Sequence, residues 1–277
     1  MKVAVLLAVH NRKDKTLLCL KGCYGQIDSL KVENRYEFRV YMTDDASTDG
    51  TSEAVLAMFP DVHIVKGDGH LYWNRGMCAA WEAAAEWAPD FYIWLNDDTF
   101  LSQGAFSVLL ENSSYLKHKA IVVGTATDSA GNYSYGGRTR SGKIVPPDKV
   151  IPVACDIFNG NLVLVPKSVF EAIGTMDPFY THGFGDYDYG VRADKAGIIA
   201  VVTPGVLATC DRNPGVPRWR DPSVGLKERF RSLQDPKGRP LKEQFVYDMR
   251  LSNVFVAVAH MLSLCLKVIF PLPGRKK

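Results

Sequence analysis

Residues 91–100 read FYIWLNDDTF. Five apolar residues run straight into Asn96, Asp97 and Asp98, so two adjacent carboxylates close what reads as a buried strand. Like charges side by side repel, and partial burial sharpens the repulsion unless a cation or a proton compensates it. A carboxylate pair on a rigid strand end suits Mg2+ or Mn2+, hard cations that take oxygen ligands and keep positions open for water and phosphate. The plainer alternative is an acidic, solvated turn. A metal presented by Asp98 and Asp97 implies a diphosphate to be neutralised, and therefore a nucleotide carrying a transferable group.

The elements around the pair decide between these readings. KVAVLLAV (2–9), YEFRVYM (36–42), VHIV (62–65) and FYIWL (91–95) read as strands. Between them, TLLCLKGCYGQI (16–27), TSEAVLAMF (51–59) and GMCAAWEAAAEWA (76–88) read as helices. This alternation predicts a parallel sheet with right-handed crossovers. His10 and Asn11 follow the first strand, Asp44 and Asp45 the second, Lys66 and Asp68 the third, Asp97 and Asp98 the fourth. All four groups stand at carboxyl ends, the edge where open parallel sheets bind ligands. Further on, 120–128, 161–166 and 198–202 read as strands, 131–149 as a hairpin and loop, and 166–180 as a short helix and turn. Residues 181–197 form a glycine-hinged loop entering a helix, and 211–250 are polar, basic and proline-rich.

A net charge of +3 over 277 residues gives no basic surface for nucleic acid, and no Lys/Arg run is interleaved with aromatics. The six cysteines lack CxxC spacing, which argues against zinc or a disulfide framework and for a reducing, cytoplasmic compartment. There is no P-loop and no GxGxxG after the first strand. The first residues read as a core strand rather than a leader, because HNRKDK follows them directly. Residues 254–270, VFVAVAHMLSLCLKVIF, make a mostly apolar helix with a narrow polar stripe of Asn253, His260, Ser263 and Lys267, followed by GRKK. A helix packed on the protein or on a partner chain, including a second copy, competes here with a helix lying on the inner face of a membrane. A true span is the weakest reading at this length.

VLLAVHNR, TDDASTDGT, WLNDDT and GFGDYDYGVRADKAG, in this order, resemble the motif series of family 2 glycosyltransferases over roughly residues 1–205. The resemblance implies the GT-A fold: α/β, with a Rossmann-like, mostly parallel central sheet flanked by helices, here with a C-terminal helical extension. It divides the chain into a glycosyltransferase domain (1–210, with a nucleotide half to 110 and an acceptor half beyond) and an extension (211–277). It implies an inverting enzyme of the rhamnosyltransferase-like, bacterial surface-glycan branch, moving a sugar from a UDP- or dTDP-sugar to a glycan or lipid-linked acceptor. The Asp97–Asp98 pair takes the role of the metal-binding DxD, and Asp45 stands at the base of the nucleotide. Ala8, His10, Asn11, Arg12, Asp44, Lys66 and Arg75 complete the expected nucleotide site. Where the family has Glu-Asp as its base, this chain has Gly185-Asp186, so Asp186 is the expected base and Asp188 the second candidate.

The physical logic runs parallel to the resemblance. Inversion in one displacement needs a carboxylate on the acceptor side and charge stabilisation for the departing diphosphate. Asp186 and Asp188 can equally be helix N-terminal carboxylates, paired with Arg192. Asn159, Asn161, His182 and Trp219 are expected near the acceptor, against structural roles for each. Two rivals are a nucleotidyltransferase, which should carry a glycine-rich loop where AVHNRKDKT has none, and a silent nucleotide-sugar-binding module.

Overall fold

The computed structural model describes residues 1–32, 34–212 and 215–271. GRKK at the end of the chain lies outside the described residues. The first part is β1 (Lys2–Val9), α1 (Lys13–Lys31), β2 (Glu37–Asp44), α2 (Thr51–Met58), β3 (His63–Lys66), α3 (Tyr72–Ala85) and β4 (Phe91–Leu95). There follow β5 (Phe100–Leu101), α4 (Ala105–Tyr115), β6 (Ile121–Val123), β7 (Ala126–Thr127), β8 (Tyr133–Tyr135), β9 (Gly137–Arg138), β10 (Val153–Cys155), β11 (Ile157–Phe158) and β12 (Leu162–Pro166). Then come α5 (Lys167–Ile173), α6 (Gly185–Lys195), β13 (Ala200–Val202) and β14 (Ala208–Thr209). A 3-10 turn (Arg218–Arg220) leads to α7 (Leu226–Gln234), α8 (Leu241–Leu251) and α9 (Val254–Ile269).

The central sheet runs β10-β13-β6-β12-β4-β1-β2-β3. Its β4-β1-β2-β3 half is parallel throughout, as the alternation of elements predicts. β12 then inserts antiparallel to both β4 and β6, making the sheet mixed. Side chains of β1 alternate between two layers. Val3, Val5, Leu7 and Val9 pack into a core with Cys19, Leu20, Phe106 and Leu109 of α1 and α4. Ala4 and Leu6 face Met77, Trp81 and Tyr189 of α3 and α6. Both faces are covered, and for that reason β1 and β4 are continuous apolar runs rather than alternating ones.

Several boundaries depart from the sequence reading for identifiable reasons. The stretch 120–128 is two strands, β6 and β7, because it breaks at Gly124, where a Cβ would lie 2.7 Å from the Leu162 side chain. α3 begins at Tyr72 and so includes the aromatic pair before the alanine-rich run. The basic, proline-rich stretch 211–250 holds α7 and α8; in α7, Leu226, Phe230 and Leu233 recur at helical spacing among charged residues that dominate the composition. Together with α9 these two helices enclose a small core of Trp219, Leu233, Leu264 and Val268.

Candidate active site

The carboxyl ends of β1, β2 and β4 open into a cavity of about 480 Å³. Asp97 is buried and Asp98 partly open. The cation between them is Arg12, whose Nη1 donates to Asp97 Oδ1 at 3.0 Å and whose Nη2 donates to Asp98 Oδ2 at 2.6 Å. One guanidinium thus bridges two carboxylates. Thr16 Oγ1 adds a longer contact to Asp97 at 3.4 Å, and the Cys210 thiol approaches Asp98 at 3.6 Å. Burial pushes Asp97 up to about 6, with Asp98 adding repulsion and Arg12 opposing both. Burial, reinforced by Asp98, likewise pushes the Cys210 thiol up to about 12, so it stays protonated beside the carboxylate.

The neighbouring strand end is built differently. Asp44 is buried and holds α2 in place, accepting from Ser47 N at 2.9 Å and from the Ser52 hydroxyl, with Lys66 Nζ at 3.5 Å. Burial alone would raise its pKa, but these donors outweigh it and hold Asp44 below its ordinary value. Asp45 faces the cavity and accepts backbone N–H groups of Gly69 (2.8 Å), Leu71 (3.3 Å) and Tyr72 (2.8 Å). Tyr72 has φ of 55°, a conformation that costs a side-chain-bearing residue on the order of 1–3 kcal/mol and that the Asp45 bond helps to hold. Gly67 allows the approach, since a Cβ there would lie 2.6 Å from Asp45 Oδ1. The Asp45 carbonyl accepts from His10 Nδ1 at 2.6 Å, which leaves Nε2 as the acceptor facing Asn11.

On the other side, Asp186 lies in the first turn of α6 and accepts from Gly160 N (2.9 Å) and Tyr187 N (2.8 Å). Burial outweighs these bonds and pushes its carboxyl up to about 6. Trp73 connects the two sides: its Nε1 donates to Asn96 Oδ1 at 2.7 Å, and its ring edge would lie 2.5 Å from a Cβ on Gly160. Only glycine at 160 lets the indole fill that space. Gly185 has a similar cause, because a Cβ there would stand 1.6 Å from Asn74 Oδ1. Asn74 cannot easily yield, as its Nδ2 donates to the carbonyls of Asp177 (2.8 Å) and Tyr180 (2.7 Å). The glutamate expected before Asp186 therefore has no room in this chain.

The cavity gathers Ala8, His10, Arg12, Asp45, Asp97, Asp98, Asn159, Asn161, His182 and Asp186 from the residues the sequence singled out. Asn159 is oriented by Arg138 Nε (2.8 Å) and Tyr187 OH (3.1 Å). His182 has an unpartnered, buried Nδ1, and burial together with nearby Lys237 pushes its pKa down to about 4, so its ring is neutral. Six expected residues lie outside the lining. Asn11 ties the β1 end to Thr48 N (2.7 Å), and Asp44 and Lys66 are engaged at Ser52. Arg75 donates to the Pro178 carbonyl at 3.0 Å, and Trp219 is buried in the core under α9. Asp188 is fully buried, bound by Arg192 (3.0 Å), Arg250 (2.8 Å) and Tyr180 OH (3.1 Å).

The sequence reading did not place Tyr72, Trp73, Asn96, Tyr135, Gly160 or Lys237 in the lining. Lys237 sits between α7 and α8 in the basic stretch, where nothing local separates it from its neighbours. Among the described residues no group of three or more His, Cys, Asp or Glu is placed to hold a metal. The cavity nevertheless carries four carboxylates, Asp45, Asp97, Asp98 and Asp186, against Arg12 and Lys237. A diphosphate entering so acidic a lining needs added positive charge, and the Asp97–Asp98 oxygens suit a hard divalent ion that completes its shell with water and phosphate.

A central sheet of this order, with a polar cavity across its carboxyl edge, defines a GT-A α/β enzyme. S. aureus TarS, residues 1–349, superposes with a TM-score of 0.58 at 12% identity, over 97% of this chain and 71% of that one. The mannosyltransferase PcManGT of Pyrobaculum calidifontis, in complex with GDP-Man and Mn2+, superposes with 0.54 at 17% identity, over 94% and 75%. The family model "Glycosyl transferase family 2" matches residues 4–173, and the chain belongs to that family as a glycosyltransferase. The N-acetylglucosaminyl-diphospho-decaprenol L-rhamnosyltransferase of Mycobacterium tuberculosis (strain H37Rv) is 24% identical over 210 residues, 64% of this chain and 67% of its own length.

Proposed function

We propose that the chain is an inverting glycosyltransferase that moves a sugar from a UDP- or dTDP-sugar to a glycan or lipid-linked acceptor in bacterial surface polysaccharide synthesis, with Mg2+ or Mn2+ as cofactor. The observation that carries the reading is one cavity lined both by the Asp97–Asp98 strand-end pair and by Asp186, a carboxylate poised near neutrality. A base with a pKa of about 6 is largely ionised at neutral pH yet still basic enough to take a hydroxyl proton. Asp186, held by Gly160 N and Tyr187 N, accepts the acceptor's proton; Asp188, spent on two arginines, does not. Asp97 and Asp98 would hold the metal, which when bound supplies Lewis-acid stabilisation for the departing diphosphate. Asp45 fixes loop 67–72 around the nucleotide. Neutral His182 and oriented Asn159 bind sugar or acceptor hydroxyls.

In the same proposal, residues 1–110 form the nucleotide half, 111–210 the acceptor half and 211–277 an extension that rests on the inner membrane surface. Among the described residues no helix is long and apolar enough to cross a membrane. α9 buries Ala257, Leu264 and Val268 but exposes Phe255 (81%), Val258, Leu262 (61%) and Leu266 along its other face, and Phe270 just beyond the helix is exposed as well. Residues 211–277 hold 14 Lys/Arg against 6 Asp/Glu, a net +8 in a chain whose total is +3. An exposed apolar stripe on so basic a unit fits an anionic lipid surface.

The test is thermal stabilisation by UDP, dTDP, GDP and CMP, each with and without Mn2+. A metal-requiring shift for UDP or dTDP, abolished in Asp98→Ala, is expected. No shift with any nucleotide would remove the reading.

A further inference from the structure

We infer that Arg12 is a built-in counter-cation for the Asp97–Asp98 pair, and that it passes to the donor's diphosphate when a divalent ion takes the carboxylates. This rests on the proposed metal role of the pair and adds to it a residue with two alternative partners. The geometry is the first support. Arg12 does not clamp one carboxylate with a two-pronged fork; it spends Nη1 on Asp97 and Nη2 on Asp98, at 3.0 and 2.6 Å. It therefore contacts two adjacent carboxylates with a single positive charge, where an ion of charge two would match both.

The anchoring is the second support. The backbone at Arg12 is fixed: Asn11 N donates to Ser47 Oγ at 2.9 Å, Thr48 N donates to Asn11 Oδ1 at 2.7 Å, and the Arg12 carbonyl accepts Thr16 N at 2.9 Å. The side chain is not fixed in the same way. It is 37% exposed and lines the cavity, so rotation about its own bonds can turn the guanidinium from the carboxylates into open space without moving the chain. The charge balance is the third. Arg12 and Lys237 are the lysine and arginine residues of the lining, and Lys237 belongs to the segment between α7 and α8, whereas Arg12 stands beside the strand-end pair. Of the two cations, Arg12 is the one in contact with the pair that would hold the metal and its diphosphate. Arginine also suits the task chemically, since its planar donors match carboxylate and phosphate oxygens equally well.

Metal and Arg12 then compete for the same oxygens in the absence of donor, and cooperate once a diphosphate offers the guanidinium a new partner. A ligand shifts such an equilibrium only by its differential affinity for the two states. Wild type should accordingly bind Mn2+ weakly alone and much more tightly with UDP.

The experiment measures free Mn2+ by electron paramagnetic resonance during titration of wild type, Arg12→Ala, Asp98→Ala and the double variant, each with and without UDP. Arg12→Ala should bind Mn2+ alone more tightly than wild type, by roughly tenfold, the order expected for releasing two charge-assisted hydrogen bonds at a half-exposed site. It should lose most of the enhancement by UDP, and Asp98→Ala should cancel the gain in the double variant. Equal or weaker Mn2+ binding by Arg12→Ala, with binding still dependent on Asp98, would overturn the counter-cation while sparing the metal site. Mn2+ binding indifferent to Asp98 in both backgrounds would overturn the metal site and the inference with it. Arg12→Gln keeps a polar donor on a shorter side chain without the charge; it should show the same order, and it serves if the alanine variant does not fold.

Discussion

Asp186→Asn separates the chemistry of this carboxylate from its place in the fold. In the unfolded chain Asp186 titrates near 3.8, and in the folded protein burial raises this to about 6. Below the lower value the group is protonated in both states and burial costs nothing. Between the two values the folded protein binds the extra proton, so stability falls as pH rises, and the full penalty is present above about 6. A shift of roughly two pH units corresponds to about 3 kcal/mol. Asp186 still borders the cavity and is partly solvated through it, so we expect about half of that, 1–2 kcal/mol. Asparagine carries no charge and escapes this term. It also has one acceptor oxygen where the carboxylate uses two, so either Gly160 N or Tyr187 N loses its partner, at a cost of about 1–3 kcal/mol that does not depend on pH. The difference in unfolding free energy between wild type and Asp186→Asn should therefore move in favour of the variant by about 1–2 kcal/mol from pH 4 to pH 8. Urea denaturation at four or five pH values measures it. Transfer should be lost while nucleotide binding persists. A flat difference across this range would refute the raised carboxyl, and unimpaired transfer would refute its role as base.

Two further outcomes follow from the geometry. Gly185→Ala should destabilise the protein by about 1–3 kcal/mol, because the new Cβ meets Asn74, and Asn74→Ala in the same chain should recover part of that cost. Urea melts of both single variants and the double variant measure the coupling, and strict additivity would show that Asn74 is not what excludes a side chain at 185. Replacing Phe255 and Leu262 together by Glu removes two exposed apolar groups of α9, each worth roughly 1.5–3 kcal/mol when fully buried. Co-sedimentation with vesicles of 30% anionic lipid should fall at least tenfold with an unchanged melting temperature. Unchanged sedimentation, or a wild-type dimer that the variant dissolves, would assign the stripe to something other than lipid.

The parts of the fold legible in the sequence are those where one physical cause dominates. β1 and β4 are buried on both faces, so their apolar runs are unbroken and their polar exits mark the carboxyl edge. What was hidden depends on contacts between distant segments. Nothing near Lys237 distinguishes it from Arg239 or Lys242, and the need for glycine at 160 exists only because the Trp73 ring, from another element, lies against it. Arg12 was placed in the nucleotide site by resemblance, but its bridge to Asp97 and Asp98 spans more than 80 residues of chain.

The acidic pairs show where local geometry would have decided more. On a strand, neighbouring side chains point to opposite faces, and on a helix residues two apart lie about 200° around the axis. Neither member of such a pair can share the other's surroundings. Asp44 is accordingly buried with Ser47 and Ser52 while Asp45 lines the cavity, and Asp188 is buried with Arg192 and Arg250 while Asp186 lines it. Asp97 and Asp98 follow a strand end in a turn, where this opposition relaxes, and both reach the cavity. Among the described residues, that is the place where two sequence-adjacent carboxylates share a single counter-cation, Arg12.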